Sequence, residues 1–147
     1  MVQVPELIPI LQVAVGPVIL ISGVGLLLLV MTNRFGRVID RSRQVALELR
    51  TGRAASPDGA RAQLDILLTR ARIVRLAIAA ASMSALLAAV LVIVIFVGAL
   101  FQLTLALPIV ALFVSCLTSL VVSLVLFLRD VNVSLKALRL EVGADSL

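Results

Sequence analysis

Residues 76–128 read LAIAAASMSALLAAVLVIVIFVGALFQLTLALPIVALFVSCLTSLVVSLVLFL, a run of 53 residues without Asp, Glu, Lys or Arg. As one helix, at about 1.5 Å per residue, it would reach roughly 80 Å. The hydrocarbon core of a bilayer is only about 30 Å thick. The run is too long for one crossing and suits two crossings with a tight turn. Gly98 and Pro108 bracket that turn, which contains Gln102 and Thr104. Working outward, residues 7–33 form a second charge-free run, long enough for one more crossing. Apolar residues make up 62% of the 147, against roughly half in a soluble domain. The expected fold is an all-α membrane protein, one membrane domain over 1–147. It has three transmembrane helices, at about 8–31, 76–99 and 105–128.

The basic residues set the orientation. Arg34, Arg37, Arg41, Arg43, Arg50, Arg53, Arg61, Arg70, Arg72 and Arg75 lie between spans one and two; Arg129, Lys136 and Arg139 follow span three. With three spans these segments share one side, and basic residues mark the cytoplasmic side. The N-terminus is expected outside, and the tail 129–147 is expected in the cytoplasm. With two spans the same residues would split across the membrane. Met1 to Glu6 carries no Lys or Arg, and the first run ends at Asn33-Arg34-Phe35-Gly36-Arg37. This resembles a stop-transfer flank, so the first run is expected to stay as a span, with a cleaved signal peptide as the competing reading.

Between spans one and two, residues 32–75 are expected to form a cytoplasmic antiparallel helical hairpin. Phe35, Val38, Ser42, Val45 and Leu49 recur at three and four, as one semi-apolar helical face. Leu64, Leu67, Ala71 and Val74 form another, continuous with span two. Thr51-Gly52-Arg53 weakens the helix between them, and Ser56-Pro57-Asp58-Gly59 reads as a turn. Span three is expected to continue to about Glu141.

Within the spans, Pro17 should kink the first helix. Small residues recur at spacings of four: Ala77, Ala81, Ala85 and Ala89 in span two, and Ala111, Ser115, Ser119 and Ser123 in span three. Such rows let helix backbones approach closely. Helix packing is therefore assigned to Gly16, Gly23, Ala81, Ala85, Ser115, Ser119 and Ser123. A hydroxyl-lined path is the functional alternative, but membrane serines usually bond their own preceding turn.

Catalytic signatures are missing. The chain has no histidine and one cysteine, Cys116, inside span three. It thus lacks the common neutral-pH base, an imidazole metal ligand and any internal disulfide. No acid lies within a span, which argues against ion-coupled transport by this chain alone. There is no phosphate-binding glycine loop and no nucleophile elbow. No enzyme, metal or cofactor is expected.

The densest constellation is Asn33-Arg34-Phe35-Gly36-Arg37-Val38-Ile39-Asp40-Arg41-Ser42-Arg43. On a helix Asp40 lies three residues from Arg37 and from Arg43, so one carboxylate can face two guanidiniums. Arginines at a membrane surface can reach lipid phosphates bidentately. Asn33, Arg34, Arg37, Asp40, Arg41 and Arg43 are the candidate site for anionic lipid or a protein partner. The bland reading is an ordinary positive flank with incidental pairing. Residues 32–75 carry a net charge of +6 but only Phe35 as an aromatic residue, so no nucleic-acid stacking platform exists.

The Asn33–Arg43 run, Leu67-Leu68-Thr69-Arg70-Ala71-Arg72-Ile73-Val74-Arg75, and Leu126-Phe127-Leu128-Arg129-Asp130 together resemble the bacterial membrane-protein family of domain of unknown function 2721. The most specific part is the pattern Asn-Arg-x-x-Arg-x-x-Asp-Arg-x-Arg. The resemblance implies a three-span protein of the bacterial inner membrane and carries no catalytic residue over. The expected function is a non-enzymatic membrane scaffold or partner subunit, homo-oligomeric or bound to another membrane protein. Its arginine-rich hairpin would engage anionic headgroups. The alternative is an oligomeric channel with Gly16, Ser22, Gly23 and Gly25 of span one facing a shared axis.

Overall fold

The computed structural model describes residues 4–53 and 56–144, with side chains described for 8–9, 11–53 and 56–132. The described secondary structure is helical: α1 (Val4–Arg50), α2 (Pro57–Phe101) and α3 (Ala106–Ala144). Each contains a segment long and apolar enough to cross a membrane, within Leu11–Arg50, Pro57–Phe101 and Ala106–Asn132. With 47, 45 and 39 residues, the helices run to roughly 60–70 Å at about 1.5 Å per residue. They are thus about twice as long as a bilayer core is thick. These are the features of a multi-pass membrane protein. α1 continues past Met31, as its semi-apolar face implies, and is continuous through Pro9 and Pro17. α3 passes beyond Glu141, while the side chains of Lys136 and Arg139 and the final three residues lie outside the described part.

The helix ends follow local chemistry. At the end of α1, Gly52 adopts φ +66°, and the Arg53 amide donates to the Glu48 carbonyl at 3.0 Å. This closes a left-handed C-cap that a Cβ would disfavour. Ser56 does not sit in a free-standing turn. Its Oγ accepts from the Gly59 amide at 3.3 Å and its carbonyl accepts from Ala60 at 3.0 Å. Ser56 is thus the N-cap of α2, with Pro57 at the first helical position, where its missing amide costs nothing.

At the far end of α2 the same cap recurs with Gln102 at φ 50° and the Leu103 amide donating to the Gly98 carbonyl at 2.9 Å. A Cβ on Gly98 would lie 3.1 Å from Leu105 Cδ1. The absence of a side chain there lets Leu105 fold back over the turn. α3 begins immediately, with the Leu105 carbonyl accepting from Ile109. The turn expected between Gly98 and Pro108 is present.

The chain divides into two compact units. One comprises the chain up to Leu29 with Ala79–Val122; the other comprises Val30–Ile78 with the chain from Ser123 onward. In the first, the buried residues are mostly small: Ala14, Val24, Ala81, Ser84, Ala88 and Cys116, with Leu91 the larger exception. On α2 they alternate by three and four, as a knobs-into-holes seam requires. The backbones of α2 and α3 are close enough for hydroxyls to reach across. Ser84 Oγ donates to the Cys116 carbonyl at 3.0 Å, and Cys116 Sγ donates back to the Ser84 carbonyl at 3.2 Å. Ser119 Oγ donates to the Ala80 carbonyl at 2.8 Å. The outer surface of this unit is apolar, with Val13, Ile19, Leu26, Leu86, Ile93 and Val110 exposed. Such a surface belongs in lipid.

In the second unit, Val38, Val45, Leu67 and Ala71 form a buried cluster flanked by Phe35, Ile39, Leu49, Ala60 and Leu64. These are the two semi-apolar faces visible in the sequence, packed together. Ser42 is buried yet satisfied, donating to the Ile39 carbonyl at 2.7 Å. Below the cluster, Ser123 Oγ donates to the Ala77 carbonyl at 2.8 Å, with Met31 Sδ at 3.9 Å.

Not every packing candidate lies in a helix contact within the chain. Ala81 and Ser123 are buried, and Ala85 and Ser119 are half-buried. Ser115 is exposed and donates to its own Ala111 carbonyl at 2.7 Å. Gly16 and Gly23 are exposed, and a Cβ at either would meet nothing within 4 Å. A repeat of four advances by about 40° at each step, because a helix turns about 100° per residue. Two steps, about 80°, therefore carry Ser115 out of the face that holds Ser123. The buried face of α3 instead repeats by seven: Cys116, Ser123, Asp130.

Candidate functional site

That repeat of seven brings a carboxylate into the core of the second unit. Asp130 is the first acid on α3 after the 53-residue charge-free run, and its side chain is 1% exposed. A buried carboxylate is costly unless it is paired. Two arginines from two other helices meet it. Arg70 of α2 donates from Nε to Oδ1 at 3.4 Å. Arg34 of α1 places Nη2 3.8 Å from Oδ2. The two arginines are themselves largely covered, at 19% and 25% exposure. Phe127, one turn before Asp130, lies beneath the Arg34 guanidinium with its ring centroid 5.3 Å away. That is cation–π range. One helix thus supplies both the acid and the ring that hold Arg34.

Above this buried pairing lies a recess of about 310 Å³ lined by Arg34, Arg37, Val38, Arg41, Leu67 and Arg70. Arg34, Arg37 and Arg41 share one face of α1 through spacings of three and four. Arg70 enters from α2, and Val38 and Leu67 contribute apolar wall from the buried cluster. Arg37 and Arg41 are exposed, and Arg41 Nη1 donates to Gln44 Oε1 at 3.1 Å. Among the described residues, four guanidiniums line the recess and one carboxylate, Asp130, pairs with two of them, which leaves the recess positive. Guanidinium stays protonated in proteins and presents a fork that matches phosphate and carboxylate oxygens.

Three of the six candidates from the sequence, Arg34, Arg37 and Arg41, line this recess. Asn33, Asp40 and Arg43 are exposed and do not. Among the described residues Asp40 makes no ion pair within 4 Å, so it does not bridge Arg37 and Arg43. An exposed carboxylate three residues from a guanidinium gains little over water, and the side-chain entropy of pairing cancels that gain. The acid that organises the arginines is Asp130, and the second arginine it holds is Arg70. Asp130, Arg70 and Phe127 are the site residues that local spacing misses. No group of three or more His, Cys, Asp or Glu side chains able to hold a metal occurs among the described residues.

A family described as protein of unknown function (DUF2721) matches residues 14–140. Comparison with curated proteins finds no match, and comparison with solved structures finds none either. The match spans most of the chain and both halves of the arginine site, and the chain belongs to this family.

Proposed function

We propose that this member of the DUF2721 family is a non-enzymatic scaffold or partner subunit of the bacterial cytoplasmic membrane, whose arginine recess holds the phosphate of an anionic lipid headgroup. The N-terminus lies outside and the C-terminus in the cytoplasm, and residues 32–75 form a cytoplasmic antiparallel helical hairpin. Segregation of all thirteen basic residues to two segments that three spans place together supports this orientation. The caps at Gly52 and Ser56, and the packing of residues 35–49 against 60–71, support the hairpin.

One observation carries the lipid reading. Arginines from two helices converge around a buried carboxylate of the third, where the charge-free runs end. Arg34 follows the first run directly, and Asp130 lies two residues beyond the second. That level is the headgroup layer, where a positively charged recess between helices fits an anionic lipid. The channel alternative finds less support: Ser22 donates to its own Val18 carbonyl at 3.2 Å, so its hydroxyl is already engaged.

The test is lipid retention by the purified full chain. Replacing Arg37 and Arg41 together with Gln removes two charges worth on the order of 1 kcal/mol each near an anionic surface. Retention of phosphatidylglycerol, counted as lipid phosphorus per chain, should fall about tenfold or more in low salt. The gap should narrow as salt rises. Equal retention by the double variant and the wild type would remove the recess as the lipid site.

A further inference from the structure

The arginines of the recess fall into two sets, and the sets differ in how they are held. Arg34 and Arg70 form an inner set, mostly covered and tied to Asp130. Arg37 and Arg41 form an outer set on the exposed rim. Among the described residues, the Asp130 carboxylate offsets one charge of the inner set, which leaves one positive charge inside and two at the rim. Arg34 and Arg41 are seven residues apart on α1, a rise of about 10 Å. With Arg34 held on Asp130 and Phe127 and Arg41 held on Gln44, the two ends of that row are tied to different partners and are not drawn onto one phosphate. Val38 and Leu67 add apolar wall to the same recess, which suits the carbon linker of a paired headgroup.

We infer that the recess is built for an anion bearing two linked phosphate groups, one engaged by Arg34 and Arg70 and the other by Arg37 and Arg41. The inference rests on the reading of the recess as a phosphate site and narrows its ligand class. The same chemistry is offered by a lipid with two phosphodiesters joined through a glycerol, and by a soluble diphosphate.

The experiment uses the full chain, delipidated in neutral detergent and mixed with cardiolipin, phosphatidylglycerol or phosphatidylcholine at matched phosphate concentration. Bound lipid is counted by native mass spectrometry. Cardiolipin, with two phosphates, should bind about tenfold more tightly than phosphatidylglycerol, a margin equivalent to about 1.4 kcal/mol. Arg37→Gln with Arg41→Gln should erase that margin while leaving residual single-phosphate binding. Arg43→Gln, outside the recess, should preserve it. Inorganic pyrophosphate at constant ionic strength identifies the source. Displacement of cardiolipin assigns the site to a soluble diphosphate, and failure to displace assigns it to the lipid. Equal binding of cardiolipin and phosphatidylglycerol per phosphate overturns the paired-phosphate inference and leaves the phosphate site standing. Binding of neither above phosphatidylcholine overturns the phosphate site itself.

Discussion

Replacing Asp130 with Asn removes one negative charge and almost no volume, so it isolates what the carboxylate does. The contacts at 3.4 Å to Arg70 and 3.8 Å to Arg34 each correspond to about 4–5 kcal/mol of Coulomb attraction at an effective dielectric of about 20. Most of that is offset by the cost of taking the charges out of water. The loss on breaking the pairing is larger than its net worth, because two mostly covered guanidiniums are left facing one another. Removing one partner of a buried pair costs about 3–5 kcal/mol. The partial exposure of both arginines places this case at the lower end, about 3 kcal/mol. For a chain of this size that lowers the melting temperature by roughly 6–12 °C. The assay is thermal unfolding of the purified protein followed by helical circular dichroism. Asp40→Asn, at an exposed site without an ion pair, should stay within about 0.5 kcal/mol of wild type. Combining Asp130→Asn with Arg70→Gln should cost less than the two single changes together, by about 1 kcal/mol or more. A melting temperature for Asp130→Asn within about 2 °C of wild type would refute the reasoning, since the carboxylate would then hold nothing.

The α2–α3 contact gives a second expectation. Ser119→Leu drives a large side chain toward the Ala80 carbonyl and should lower the melting temperature clearly more than Ser119→Ala, which loses a bond worth about 1 kcal/mol. Equal effects would mean that close backbone approach is not what Ser119 provides. For the orientation, a cysteine introduced at Gln102 should react with an impermeant thiol reagent from outside the cell, and one at Ser56 should not. Native Cys116 is buried and should contribute little background. External labelling at Ser56 would invert the proposed topology.

The helices were legible because their signal is repeated over many residues. Two charge-free runs, a Gly–Pro bracket at 98–108, and apolar positions at three and four along 35–49 and 64–74 each rest on several side chains. Their packing against one another followed the same faces. The arginine cluster was half legible. Arg34, Arg37 and Arg41 fall on one helical face by spacing alone, but their partner does not. Asp130 is 60 residues from Arg70 and still farther from Arg34 along the chain. Local spacing offered Asp40 instead, although an exposed pair gains almost nothing over water. The signal that points to Asp130 is the repeat of seven, Cys116, Ser123, Asp130, which drifts only about 20° per step. The repeat of four drifts twice as fast. Small polar residues seven apart on a membrane helix, ending in an acid, mark an inward-facing line that composition does not reveal.

Phe127 has a consequence for how the recess can be observed. The chain contains no tryptophan and no tyrosine, so it is nearly dark in the near ultraviolet. The Arg34 guanidinium lies over the Phe127 ring, 5.3 Å from its centroid. Phe127→Trp would therefore install a single indole against the guanidinium that the carboxylate holds. Its emission would come from that one place, without contributions from elsewhere in the molecule. Movement of Arg34 toward a ligand, or its release from Asp130, would be registered as a change in colour and quenching. The protein carries its own vacant position for an optical gauge of the one spot where its charge is gathered.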